Sequence, residues 1–166
     1  MPEIISNAQD KKWARLSNLT ERHFLHLGIP HHSIEGGLQG MKFEDPQEQK
    51  RLFLLPGKDA QQAGQGQNWT HDRTLYGHDG NPMKRGSDEL EFHVNGLFTA
   101  AYVDDPTFAN DLRATDHGEL LHSIGRANQL HTVLTRNDLY ANIGRLRDRA
   151  HREDAQKMNE IVCNSF

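Results

Sequence analysis

The chain has 166 residues, a formal net charge of −4 and 35 % hydrophobic residues, enough length to close one core of ordinary size. Nothing in it approaches the apolar run that spans a bilayer, and the mild acidity draws neither nucleic acid nor anionic lipid. A single cysteine, Cys163, rules out an internal disulfide and fits the cytoplasm or another reducing compartment.

Met1-Pro2-Glu3-Ile4-Ile5 lacks the basic and apolar regions of a signal peptide, so none is expected. From about residue 7 to 28, Trp13, Leu16, Thr20, Phe24 and Leu27 recur at three- and four-residue steps. That period predicts an N-terminal helix, broken by a cap at Thr20 and stopped by Gly28 and Pro30. Residues 29–88 are rich in turn-formers. Within them Arg51-Leu52-Phe53-Leu54-Leu55, closed by Pro56-Gly57, reads as a buried strand, and the Gly/Gln-rich run 57–67 as a polar loop.

Asn95-Gly96 separates Asp88-Glu89-Leu90-Glu91-Phe92-His93-Val94 from Leu97-Phe98-Thr99-Ala100-Ala101-Tyr102-Val103. Asn-Gly suits a two-residue type I′ turn, because both central residues take positive φ. The segment is therefore expected to form an antiparallel β-hairpin. Its register would place Leu90, Phe92, Val94, Leu97, Thr99, Ala101 and Val103 on an apolar face. Downstream, Asp105 with Pro106, Asp116 with Glu119, and Leu134-Thr135 with Asp138-Leu139 carry helix-start signatures. The expected fold is α+β in a single domain: an N-terminal helix, a small antiparallel sheet, and two or three C-terminal helices on one sheet face.

Two groups of residues carry the functional expectations. On the polar face of the hairpin, Glu89, Glu91 and His93 would project beside Phe98 and Tyr102, a binding face whose exposed aromatics suit a protein partner. A half-solvated sheet shows the same alternation with no ligand at all. Separately, His71, His78, Asp79 and His93 offer imidazole and carboxylate ligands for a divalent metal, although Asp79-Gly80 also makes an ordinary turn. Eleven histidines make this residue type the unusual feature of the composition. His117 and His122 do not form a zinc-protease helix, since a five-residue spacing sets them about 140° apart. Arg145, Arg149 and Arg152 read as a solvated helix face.

Three functions follow. The foremost is an interaction, assembly or accessory protein, of effector or virion type, with a protein partner or a second copy of itself. The others are a metal-dependent hydrolase or nuclease built on the His/Asp/Glu cluster, and a small-molecule binder or transferase using Glu89 and Glu91. Membrane and nucleic acid are not expected partners, and the pattern does not decide whether the protein is an enzyme.

Overall fold

In the computed structural model, residues 11–67, 74–115, 119–122 and 132–164 are described. The architecture is α+β, with its helices gathered around two small antiparallel hairpins. Helix α1 is one turn, Lys11–Ala14. The N-terminal helix expected as far as residue 28 ends there, and strands β1 (Phe24–His26) and β2 (Ile29–His31) follow. They pair Phe24 with His31 and His26 with Ile29. Leu27 and Gly28 form the turn, at φ of 52° and 76°, which is the positive-φ pair of a two-residue hairpin. The strands are held by what their inward residues meet: Phe24, His26 and His31 are buried, whereas Leu25 and Leu27 are exposed.

Three short helices come next: α2 (Ile34–Gly40), α3 (Pro46–Phe53) and α4 (Gly57–Gln65). Ser33 caps α2, accepting from the Gly36 N–H at 2.9 Å, and Asp45 caps α3 with Pro46 at its first position. The strand expected at 51–55 is thus the end of a capped helix. An apolar run of that length cannot by itself distinguish strand from buried helix, and the Asp45-Pro46 start signal settles it. The loop expected at 57–67 is likewise α4. Gly57, Ala60 and Gly64 are its buried residues, small groups at helical spacing that let α4 lie close against α2. At Gly64 a Cβ would run into the side chain of Gln39.

Strands β3 (Thr74–Tyr76) and β4 (Pro82–Lys84) form the second hairpin. Its connection turns through Gly80 at φ 79°, and the Asp79 carboxylate accepts from the Asn81 N–H at 3.2 Å. Buried Gln49 clamps this connection: its Nε2 donates to the carbonyls of Gly77 and Phe43 at 2.8 and 2.9 Å.

Residues 88–104 form one helix, α5 (Asp88–Asp104), and not a hairpin. Ser87 caps it, accepting from Leu90 N–H at 3.2 Å, and Asp88, Glu89 and Glu91 lie in the first turn, where the helix dipole favours them. Leu90, Val94, Leu97, Phe98, Ala101 and Tyr102 are its buried residues, a stripe at steps of three and four. Magnitudes explain the outcome. Burying each large apolar side chain is worth roughly 1.5–3 kcal/mol, while glycine inside a helix costs only about 1 kcal/mol. One unfavourable residue does not overturn six buried ones.

Helix α6 (Pro106–Arg113) starts as the sequence indicates, with Asp105 accepting from the Thr107 N–H at 3.0 Å. Helix α7 (Arg136–Cys163) has its reciprocal cap: Asp138 N–H donates to Thr135 Oγ1 at 3.1 Å and Thr135 N–H to the Asp138 carboxylate at 2.8 Å. Both helices pack on α5 rather than on a sheet face. The helix expected after Asp116 lies partly outside the described residues, and Glu119–His122 is not helical. Tyr102 Oη donates to Glu153 at 2.6 Å, and Arg149 reaches Glu153 at 2.8 Å with its guanidinium over the Tyr102 ring. Arg145 donates to Thr99 Oγ1 and to the Asn95 carbonyl. The arginines read as a solvated face therefore line, in part, the seam between α5 and α7. Cys163 is an exposed thiol. Among the described residues no helix is long and apolar enough to cross a membrane.

Candidate functional site

The helical path of 88–104 dismantles the binding face expected from a hairpin. Phe98 and Tyr102 point into the core, so neither is available as an exposed aromatic anchor. Glu89 and His93 are one helical turn apart, but Glu91 lies two residues from His93 and projects to nearly the opposite side at 100° per residue. Glu89 and Glu91 are both exposed.

The metal expectation fares differently. His71 lies outside the described residues. His78, on the β3–β4 connection, and His93, on α5, come together, and a residue not anticipated joins them: His26 of β1. One ring nitrogen of each of His26, His78 and His93 lies within 4.8 Å of the other two. Ring centroids are 5.0 Å apart for His26–His78, 5.3 Å for His78–His93 and 6.1 Å for His26–His93. Asp79 is exposed and turned to its own loop, where the Asn81 backbone N–H and side chain hold its carboxyl below the usual range. His31 backs the cluster, stacked on Phe53 at 4.4 Å with Nδ1 on the Ile29 carbonyl at 2.9 Å.

Burial keeps these imidazoles neutral. It lowers His26 and His78 to about 4, with their neighbouring imidazoles adding to the effect, and His31 to about 3 despite its bond to Ile29. Burial lowers His93 as well, against the carboxylates of Glu89 and Asp79. Among the described residues His26 Nε2, His31 Nε2, both His78 nitrogens and His93 Nδ1 are buried without a hydrogen-bond partner. A buried polar atom left so costs about 1–3 kcal/mol. Such a concentration in one place calls for an explanation, of which a bound ion or water is one.

A second perturbed group was not anticipated at all. Glu35, in the first turn of α2, is buried, and its backbone N–H donates to the Asn18 carbonyl at 3.0 Å. Its carboxyl accepts from Gln39 Nε2 at 2.7 Å. Burial raises the Glu35 pKa, opposed by that hydrogen bond and by the charge of Lys42. Burial lowers Lys42, whose Nζ donates to the Gly64 carbonyl at 3.2 Å. Asn18 Oδ1 and Gln39 Oε1 are buried and without partners among the described residues. Glu35 and Gln39 are one turn apart on α2, and Lys42 follows just beyond the helix end.

The comparisons with known proteins join the fold to a lineage. The chain is 34 % identical over 148 residues to an uncharacterized 17.1 kDa protein from the Gp30–rIII intergenic region of Enterobacteria phage T4, covering 88 % of this chain and 96 % of that one. The NMR structure of the Escherichia coli protein YbiA superposes with a TM-score of 0.64 over 92 % of this chain and 86 % of that chain, at 17 % identity, a likeness of fold. The profile of the bacteriophage protein GP30.3 family matches residues 12–148. The chain belongs to the bacteriophage protein GP30.3 family.

Proposed function

We propose that this phage-family protein acts chemically on a small polar molecule at Glu35, as a hydrolase or transferase that uses a buried carboxylic acid. The observation that carries the reading is the environment of Glu35: a buried carboxyl driven toward its neutral form, accepting from the Gln39 amide and within reach of the charge of Lys42. Burial shifts Glu35 and Lys42 in opposite directions, each toward its neutral form, and neighbouring groups so perturbed are candidates for acid–base work. A carboxyl whose protonated form is favoured by burial can give its proton to a departing oxygen or nitrogen as the bond to it breaks. In hydrolysis, water then supplies hydroxide to the electrophile, and its remaining proton returns to the carboxylate. Gln39 Nε2, donating to the Glu35 carboxyl at 2.7 Å, orients the acid. The small-molecule reading thereby moves from Glu89 and Glu91 to Glu35.

The test uses the macromolecule-free fraction of a bacterial extract, incubated with the native chain and with Glu35→Gln and followed by mass spectrometry. The native protein is expected to deplete a component and yield a product, and Glu35→Gln, folded to the same degree, to lose at least 100-fold of that rate. Identical extract profiles for the two proteins would refute the reading.

An accessory role through a protein partner keeps one specific support. Leu25, Leu27 and Val103 are 58, 57 and 60 % exposed, and the Leu25 N–H is bonded to Asp104, the neighbour of Val103, at 2.8 Å. Exposed apolar side chains gathered near one point suit a partner surface.

A further inference from the structure

We propose that His26, His78 and His93 form a binding site for one first-row transition-metal ion, with zinc as the expected occupant, held by three imidazoles with a fourth position open. The assignment goes beyond the chemistry proposed for Glu35 and does not depend on it.

Three elements distant in sequence deliver the ligands: β1, the β3–β4 connection and α5. Each is positioned by something other than its neighbours in the cluster. His26 is set inward by the β1–β2 register. His78 is carried on a turn that Gln49 grips by its Gly77 carbonyl. His93 stands on the second turn of a helix capped by Ser87. Gly96 completes the arrangement, because a Cβ there would collide with the His26 ring. A glycine in mid-helix that makes room for an imidazole is otherwise hard to explain in a helix this well buried.

The ligand chemistry selects the ion. Imidazole nitrogens suit zinc, copper, nickel and iron, whereas magnesium and calcium take oxygen. Zinc–nitrogen bonds of about 2.0–2.1 Å in tetrahedral geometry put ligand nitrogens about 3.3 Å apart. The present separations, all within 4.8 Å, exceed that by no more than about 1.5 Å, so the rings draw together on the ion. Among the described residues His26 Nε2, His78 Nδ1 and Nε2, and His93 Nδ1 have no hydrogen-bond partner that would compete with an ion. His31, whose Nδ1 is already on the Ile29 carbonyl, stays outside the set and packs behind it. His26 is buried, and His78 and His93 are half-buried. Three protein ligands with a free position is the arrangement of catalytic rather than structural zinc.

The full-length protein, stripped with a chelator and dialysed, is titrated with zinc chloride by calorimetry and with cobalt(II) by visible spectroscopy. One ion per chain is expected, with the intense absorption of four-coordinate cobalt. His78→Gln and His93→Gln are expected to weaken zinc binding at least 10-fold, and His23→Ala, an exposed histidine outside the cluster, to leave it unchanged. His26→Ala risks the fold, so the two half-buried positions carry the test, with circular dichroism to confirm that both variants are folded. No zinc uptake by the native chain, or equal affinity in both folded Gln variants, would overturn the assignment. Loss of extract conversion in Glu35→Gln with zinc binding intact keeps the two proposals separate.

Discussion

Two dipeptides ending in glycine, Leu27-Gly28 and Asn95-Gly96, have opposite fates, and they meet at His26. Leu27-Gly28 makes the two-residue turn, with both residues at positive φ, although leucine is a poor residue for that conformation. Asn95-Gly96 has the favoured turn composition and lies in the middle of a 17-residue helix. The difference is in the flanks. Around Leu27-Gly28 the strands are only three residues long and bury Phe24, His26 and His31 on one side. Around Asn95-Gly96 the buried side chains recur with a helical step, from Leu90 to Tyr102. Turn preference is worth about a kilocalorie, and the larger sum of burial decides.

The largest expected effect breaks the comparison where the two meet. His26 and His78 titrate near 4 when folded, against 6.5 for the free side chain, so the unfolded chain binds more protons between those values. Their contribution is fully present above pH 6.5 and lost as pH falls toward 4. His26 alone should withdraw about 3 kcal/mol by pH 4. Urea unfolding between pH 7 and 4 checks this, and a midpoint that does not fall would contradict the burial of these imidazoles. Glu35 works with the opposite sign: its raised pKa favours the fold at low pH, and the imidazoles, being more numerous, are expected to dominate.

A smaller effect comes from Gly96→Ala. Helix propensity favours alanine by about 1 kcal/mol, but the new Cβ runs into the His26 ring. Overpacking costs about 1–3 kcal/mol, so a net loss of about 1 kcal/mol in thermal or chemical unfolding is expected. Were Gly96→Ala more stable than the native chain, the glycine would have no packing role and His26 would be free to move.

The smallest effect sharpens the other half. Leu27→Asn puts a residue tolerant of positive φ at the first turn position and removes an exposed leucine. A gain of about 0.5–1 kcal/mol is expected by the same unfolding measurement. A loss would show that Leu27 packs on something its exposure does not reveal.

What could be read beforehand follows from the range of each interaction. Asp105-Pro106 and Thr135–Asp138 act within three residues, and both helix starts are where their capping residues indicate. Asp79-Gly80 makes a turn for the same reason. The Gly/Gln-rich segment at 57–67 is different. Its small residues carry no periodic hydrophobic signal and become meaningful only as the face on which α4 approaches α2. His78 and His93 were legible as ligand types. His26 was not, since nothing local distinguishes it from ten other histidines. Glu35 escaped because its polarity suggests a surface, and only burial makes it chemically unusual.

By itself, then, the sequence determined the mixture of helices and short strands, the capped starts of α6 and α7, and the absence of a disulfide, because each depends on composition or on groups a few residues apart. Tertiary structure alone decided that Asn95-Gly96 continues a helix, that Phe98 and Tyr102 are interior, and that three imidazoles converge. Those outcomes depend on which surfaces leave water together, a sum over residues that are neighbours only after the chain has folded.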